Sequence, residues 1–496
     1  LLLVVRTTFI EPFGVTSGSM AETILGNRRQ IECPRCGHLV CVGTPEDRDR
    51  TDPQSGVACP NCGFGPLTLS NADESFGDRV LVDKLIYRLR PPRRWEVAVF
   101  RCPDPKEARR LVEAFTVLEA RLPVYEHCKP CENRTYVKRV VGLPGERVRL
   151  SEGDVYADGK ILRKDLPHLR EMRSPVFTMR HAPKPTGWAE RWVIHPPASG
   201  LPVDTPGQLP AVGEVVQEET LVLNATTRPF SLSYRHRDLD SHQDVPILNR
   251  LGYNGRDGTD FAQTKAPGED DLVHDFMIEC EVEVVSGTQG EFGIRLTDGA
   301  DAVRLHLPVG AEAAFVAHEG GVEVPFAKRF GLMPGRRHRI EFGFVDRRVF
   351  VAIDGAEVLT PLDLPEVRPQ QRQPRRPIDG KPTGTRWEGM KSPIQFDCRS
   401  AHIEVHRFTL WRDIHYRGGR AKHAVKEECR LGADEYFVLG DNTASSFDSR
   451  EWANPGVPER DFLGKPFLVH QPLRAATAPV LGRVQAVDWE RLRLLR

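Results

Sequence analysis

In F-M-I-E-C-E-V-E-V-V, residues 276–285, apolar and acidic side chains take turns. At a period of two, Ile278, Cys280, Val282 and Val284 share one face, and Glu279, Glu281 and Glu283 share the other, which predicts a half-buried strand. The same alternation returns in E-F-G-I-R-L-T-D-G, A-V-R-L-H-L, H-R-I-E-F-G-F and R-V-F-V-A-I-D-G. Short strands separated by D-G and V-D-R-R turns predict an antiparallel β-sandwich over residues 219–415. A Pro/Arg/Gln-rich stretch, 364–392, interrupts it, and I-E-V-H-R-F-T-L-W supplies one further strand.

Outside that region the pattern is less regular. R-V-L-V-D-K-L-I-Y, W-E-V-A-V-F and Y-V-K-R-V-V-G read as strands, and G-D-V-Y-A-D-G-K-I-L as a hairpin turning at Asp158-Gly159. A Glu/Arg/Leu-rich segment, 104–121, reads as an amphipathic helix. Residues 166–218 are rich in Pro, Arg and His without a period and read as linker. The resulting division is 1–26 (apolar run and serine motif), 27–75 (cysteine pairs), 76–165, 166–218 (linker), 219–415 (sandwich) and 416–496. No internal repeat is found.

Charge removes one class of function. Lys plus Arg and Asp plus Glu both number 69, so no bulk positive field exists for phosphates, and a nucleic-acid partner is not expected. Forty prolines and 42 glycines favour turns and strands over long helices. The chain begins L-L-L-V-V, with Leu1 in place of Met, as a fragment without its start would. Five residues are far short of the about 20 that span a bilayer. The run reads either as the outer end of a membrane anchor or as a buried strand.

Six of the eleven cysteines form C-x-x-C pairs at Cys33/Cys36, Cys59/Cys62 and Cys128/Cys131. The first two pairs, each followed by glycine, resemble a zinc ribbon. Four thiolates in two knuckles suit a closed, structural zinc site. One or two disulfides are the competing reading outside the cytosol. Cys128/Cys131, preceded by His127, fits a knuckle, a disulfide or an unrelated thiol pair. Asp298 and Asp301 read as solvated turn acids, with calcium binding as the rarer alternative.

Two serines flank a glycine in T-S-G-S-M, residues 16–20, with no histidine nearby. A hydroxyl needs a base, and a lysine neutralised by burial can serve. Lys138, in the apolar run Y-V-K-R-V-V, is the candidate. F-I-E-P-F with S-G-S-M, then G-D-R-V-L-V-D-K, Y-V-K-R-V-V-G-L-P-G-E and G-D-N-T-A-S-S-F-D-S-R, in that order, resemble the type I signal peptidases. These are membrane-anchored serine proteases with a Ser/Lys dyad on a β fold and no catalytic cofactor. The resemblance implies Ser19 as nucleophile and Lys138 as general base. It implies Ser17 and the Ser19 N–H as the oxyanion hole, Ser446 as the group orienting the lysine, and Asp448 with Arg450 as a supporting ion pair. The implied substrates are preproteins with signal peptides ending Ala-x-Ala. The implied location is the cytoplasmic membrane, against the lipid bilayer, with the catalytic body on the outer face.

The chain departs from the family pattern in three places. Glu22 stands where proline is usual, Thr443-Ala444 stands for the usual Arg-Asp, and about fifty residues containing cysteines separate two motif blocks. The fold class expected is therefore mainly β: a signal-peptidase-type core interrupted by a zinc-ribbon-like insert and a jelly-roll-like sandwich. The sandwich resembles concanavalin- or laminin-G-like domains, which implies a carbohydrate or protein ligand, or else a spacer or docking platform. Two other functions compete. A self-cleaving regulator would share the dyad, but no DNA-binding helix pair is present. A catalytically degenerate binding protein would act through the sandwich, yet every proposed catalytic side chain is there. The terminal V-D-W-E-R-L-R-L-L-R reads as a short packed helix in preference to a membrane-surface segment.

Overall fold

The computed structural model describes residues 9–44, 56–101, 135–181, 191–195, 210–217, 219–237, 244–254, 272–310, 312–366, 390–418, 421–478 and 482–496. The segment 104–121 and Cys128/Cys131 lie outside the described residues. The chain is mainly β, with a core of strands interrupted by two inserts.

The core is built on an eight-stranded sheet. Its strands run, in spatial order, Ile10–Gly14, Arg79–Asp83, Phe462–Gln471, Val97–Arg101, Thr135–Gly142, Glu435–Leu439 and Gly456–Pro458, and Arg493–Leu494 adds to Phe462–Gln471. Thr135–Gly142 is central and its second half is buried on both faces, so period-two alternation is lost there. One face packs Met20, Ile24, Val80, Val82, Val97 and Val99. The other packs Ala98, Phe100, Val140, Val438 and Trp452. Arg147–Ser151 and Asp154–Ala157 form part of a second, four-stranded sheet. Asp154–Ala157 and Lys160–Ile161 form the hairpin that turns where expected: Asp158 (φ 49°) and Gly159 (φ 76°) both occupy the left-handed region that a two-residue turn requires.

The sandwich closes as the alternation predicts. Phe276–Ser286 lies between Arg337–Val345 and His402–Arg412 in a nine-stranded sheet, which faces a seven-stranded one. Ile278, Cys280, Val282 and Val284 are buried in the layer between the sheets. Asp298 and Asp301 are not solvated turn acids: both grip Arg347, which stands at positive φ in the V-D-R-R turn.

Within the stretch expected as linker, the described residues form a helix and strands. A helix, Leu166–Met172, is capped by Asp165, whose Oδ1 accepts from the His168 N–H at 2.9 Å. Its Leu166 and Leu169 pack on the sandwich residues Met277, Val345 and Phe350, and Met172 packs into the core. Ser174–Thr178 and Trp192–His195 then join the two sandwich sheets. Ser174 pairs with Arg412, so the chain enters and leaves the insert at adjacent points. The C-terminal segment is one 3-10 turn, Trp489–Arg491, followed by the short strand Arg493–Leu494.

Candidate active site

The turn carrying Ser17 and Ser19 follows the edge strand Ile10–Gly14. It is held from below and from behind. Met20 and Ile24 are fully buried against the sheet, and the Ile24 N–H donates to the Met20 carbonyl at 2.8 Å. Behind it, Gly77-Asp78 of the G-D-R block closes the loop. Asp78 Oδ2 accepts from the Leu25 N–H at 2.9 Å, and its carbonyl accepts from the Val15 N–H at 3.0 Å. A Cβ at Gly77 would sit 1.7 Å from the Val15 carbonyl oxygen, so only glycine permits this approach. Ser17 is exposed and Ser19 half-buried. Their hydroxyl oxygens are 3.5 Å apart, a long contact. Among the described residues the Ser19 N–H has no acceptor.

Lys138 pairs across the sheet with Ala98 and is only 2% exposed. Burial among apolar neighbours disfavours its charged form and lowers its pKa to about 8; Asp448 pulls it back up, Arg450 pushes it further down, and Asp441 raises it. Among the described residues Nζ makes no hydrogen bond or ion pair. The acid closest to competing for it is already engaged. Asp448 accepts from Arg450 Nε and Nη2, both at 2.8 Å, from the Gly440 N–H at 3.0 Å and from Ser446 Oγ at 2.7 Å. Burial alone would raise the Asp448 pKa, but the charge and hydrogen bonds of Arg450 hold it below the usual carboxylate range. Ser446 donates its proton to Asp448, which leaves its oxygen lone pairs available to an amine.

The strand Glu435–Leu439 and the G-D-N block after it connect the strand of Lys138 to the turn of Ser19. Glu435–Leu439 pairs with Thr135–Gly142, Leu439 opposite Arg139. It ends at Gly440, and the next residues grasp the serine turn: the Asn442 N–H donates to the Ser19 carbonyl at 3.0 Å, and Asn442 Nδ2 to the Gly18 carbonyl at 3.0 Å. Gly440 is squeezed between the two sites. A Cβ there would lie 2.1 Å from Ser446 Oγ and 2.6 Å from the Ser19 carbonyl oxygen.

Arg139 was not read from the sequence as part of the site. Arg139 points to the opposite face from Lys138, wholly buried, and makes a two-bond pair with Asp441 (2.9 and 2.7 Å) and a third bond with Glu171 (2.9 Å). The signal was available: Lys-Arg in tandem inside an apolar strand demands two acidic environments or two dry ones. Thr443, where the family has arginine, donates to the His415 carbonyl at 2.8 Å.

The insert after the serine turn holds Cys33, Cys36, Cys59 and Cys62, none of them in a disulfide. Cys33 Sγ is 3.6 Å from Cys62 Sγ, and Cys36 Sγ 3.7 Å from Cys59 Sγ. A disulfide brings sulfurs to about 2 Å, so these are not bridges. The two knuckles repeat one turn. The Gly37 N–H donates to the Cys33 carbonyl and the Gly63 N–H to the Cys59 carbonyl, each at 2.8 Å, with both glycines at positive φ. Four convergent sulfurs on two such knuckles fit a tetrahedral metal.

The family model for signal peptidase, peptidase S26, matches residues 68–221 and 318–470. A probable signal peptidase I-2 of Synechocystis sp. is 36% identical over 85 residues, 17% of this chain and 29% of that protein. Signal peptidase I of Leptolyngbya laminosa is 33% identical over 88 residues, 18% of this chain and 34% of that protein. The aligned stretches thus span about a third of these relatives' length. Among solved structures, a carbohydrate-binding module, CBM66 from Bacillus subtilis, aligns with 28% of this chain and 72% of its own at 10% identity and a TM-score of 0.17, too weak a likeness to inform function. With more than half of its length matched by the family model and its motif blocks assembled at one place, this chain belongs to the signal peptidase family, peptidase S26.

Proposed function

We propose that this protein is a serine endopeptidase that removes N-terminal signal peptides from exported preproteins. The observation that carries the reading is Lys138: a buried lysine, without an ion partner among the described residues, one strand away from the loop that holds Ser19. Neutral Lys138 Nζ takes the Ser19 Oγ proton as Oγ bonds to the scissile carbonyl carbon. The carbonyl oxygen becomes an oxyanion, met by the Ser17 hydroxyl and the Ser19 N–H. One such donor is typically worth about 3 kcal/mol. The C–N bond then breaks, its electron pair leaves with the amine, and Lys138 returns the proton to it. Water, deprotonated by the same amine, attacks the acyl-enzyme and releases the carboxylate and free Ser19. Ser446 orients the lysine, and Asp448 with Arg450 holds Ser446. Catalysis needs no cofactor.

Cys33, Cys36, Cys59 and Cys62 hold a structural zinc ion, which cross-links the insert beside the serine turn and takes no part in the chemistry. We place the protein at the cytoplasmic membrane with its catalytic body on the outer face. Supporting this, Phe9, Ile10, Phe76, Trp489 and Leu494 stand exposed on the core. Among the described residues no helix is long and apolar enough to cross a membrane.

The test is cleavage of a preprotein ending Ala-x-Ala by the parent, Ser19→Ala and Lys138→Ala in detergent. The parent is expected to cut at that end, and each variant to lose about a thousandfold or more while remaining folded. Cleavage surviving in Lys138→Ala would remove the base assignment. An inactive parent would favour a binding protein acting through the sandwich.

A further inference from the structure

We propose that the segment Asn249–Asn254, part of the sandwich insert, is a positioning element for the nucleophile turn. The proposal rests on the reading of Ser19 as nucleophile. The segment leaves the sandwich and runs between the cysteine insert and the G-D-N block, touching both.

Asn254 and Asn442 face each other as a reciprocal amide pair. Asn254 Nδ2 donates to Asn442 Oδ1 at 2.9 Å, and Asn442 Nδ2 to Asn254 Oδ1 at 2.7 Å. Both side chains are buried, Asn442 wholly. Asn442 spends its remaining amide hydrogen on the Gly18 carbonyl and its backbone N–H on the Ser19 carbonyl. The orientation of the Asn442 amide is therefore set by Asn254. Without that partner, the same group that holds the serine backbone would lose half its bonds in a dry site.

Tyr253 supplies a second contact. A Cβ at Gly18 would lie 2.2 Å from its ring, and a Cβ at Gly43, the last residue of the insert strand Leu39–Gly43, 2.3 Å from it. One aromatic ring is thus clasped by the glycine between the two active-site serines and by the cysteine insert. Ala21 and Leu25 pack on it, and its hydroxyl donates to the Asn27 carbonyl at 3.0 Å. Asn249 completes the set, donating to Thr443 Oγ1 at 3.1 Å and to the His415 carbonyl at 3.0 Å. Thr443 replaces the family's arginine, and in this chain the insert supplies its partner. The sandwich therefore does more than occupy space: it completes the back wall of the serine turn.

The experiment compares Asn254→Ala, Asn442→Ala and the double variant in the full chain, with Asn254→Asp, which accepts one Asn442 bond but sets a buried carboxylate against the Asn442 carbonyl oxygen, as the harsher change. Asn254→Ala is expected to lower kcat about tenfold with KM within about twofold. The rise of activity with pH should stay where Lys138 puts it, and the Ala21 and Ile24 amides should exchange hydrogen faster. Asn254→Asp should fall below Asn254→Ala, because it faces the Asn442 oxygen with a buried charge. The double variant should be no worse than Asn442→Ala, since both act through one group. Unchanged kcat and exchange in Asn254→Ala, or losses that multiply in the double variant, would overturn the proposal. A parent that cleaves no preprotein overturns the nucleophile reading instead, and the exchange comparison then judges the clamp alone: faster exchange upholds it, unchanged exchange ends it.

Discussion

Lys138 and Arg139 are neighbours on one strand, both buried, with opposite electrostatic fates. Arg139 has two carboxylates and stays charged, its pKa raised because those carboxylates outweigh burial. Among the described residues Lys138 has none at hydrogen-bond distance, and burial wins. Activity should accordingly rise with pH as Lys138 loses its proton near pH 8, measured as kcat/KM across pH 6–10. The same shift has a cost to the fold. A lysine whose folded pKa lies below its unfolded one destabilises the protein while it is protonated in the unfolded chain, and the penalty fades as pH climbs from 8 to 10.5. Lys138→Met should thus stabilise the inactive protein by about 3 kcal/mol at pH 7. That gain should vanish by about pH 10.5, as chemical denaturation at the two pH values would show. The lysine itself was legible, because an apolar strand with one cation invites the question. Its depressed pKa and the Asp448–Arg450 pair were implied by the motif order, but the sequence held no sign that Gly440 and Ser446 also donate to Asp448.

Among the elements, the strands with strict alternation were legible and the short or double-faced ones were not. Phe276–Ser286 announces its buried face in every second residue. Ser174–Thr178 carries a proline and only five residues, and Trp192–His195 has four, so neither shows a period. Both find their partners by pairing with residues far along the chain, which local pattern does not record. The helix Leu166–Met172 was hidden for a related reason: at seven residues its apolar positions amount to one turn on each of two cores. The cysteine knuckles are the reverse case, fully legible because C-P-x-C-G states its own geometry. They make a prediction at this scale. The protein as purified should contain one zinc per chain by elemental analysis. A strong chelator should remove it and lower the melting temperature, and Cys59→Ser should bind less than one equivalent. Metal-free protein with an unchanged melting temperature would sink the site.

At the scale of the molecule, core and sandwich are joined by a buried charge cluster. Lys164 Nζ lies 2.9 Å from Asp346 and 2.7 Å from Asp413, under the ring of Trp95. His274 stands 3.5 Å from both Asp154 and Asp275. Burial pushes the Asp346 pKa up to about 6 even with Lys164 beside it, and raises Asp413 and Asp275 as well. One ammonium is thus shared by two carboxylates between two domains. Lys164→Met should cost about 3–5 kcal/mol near neutral pH, because it leaves carboxylates buried and unpaired. A carboxylate with a raised folded pKa takes up its proton more readily in the folded state, so acidification relieves the loss. The variant should approach the parent between pH 7.5 and 5, as denaturant midpoints would show. A pH-independent loss would mean that the cluster is held by packing instead.

The adjacency of Ser174 and Arg412 also bears on how the core comes together. Val140 must find Val438, roughly 300 residues away, before the central sheet exists. Closing so long an unfolded loop costs about 4 kcal/mol more entropy than closing one of a few residues. A sandwich already folded delivers the two flanks side by side and removes roughly a third of that difference. The insert is then a splint, set before the break is joined, and the strands Thr135–Gly142 and Glu435–Leu439 on either side of it become neighbours as a consequence of its folding.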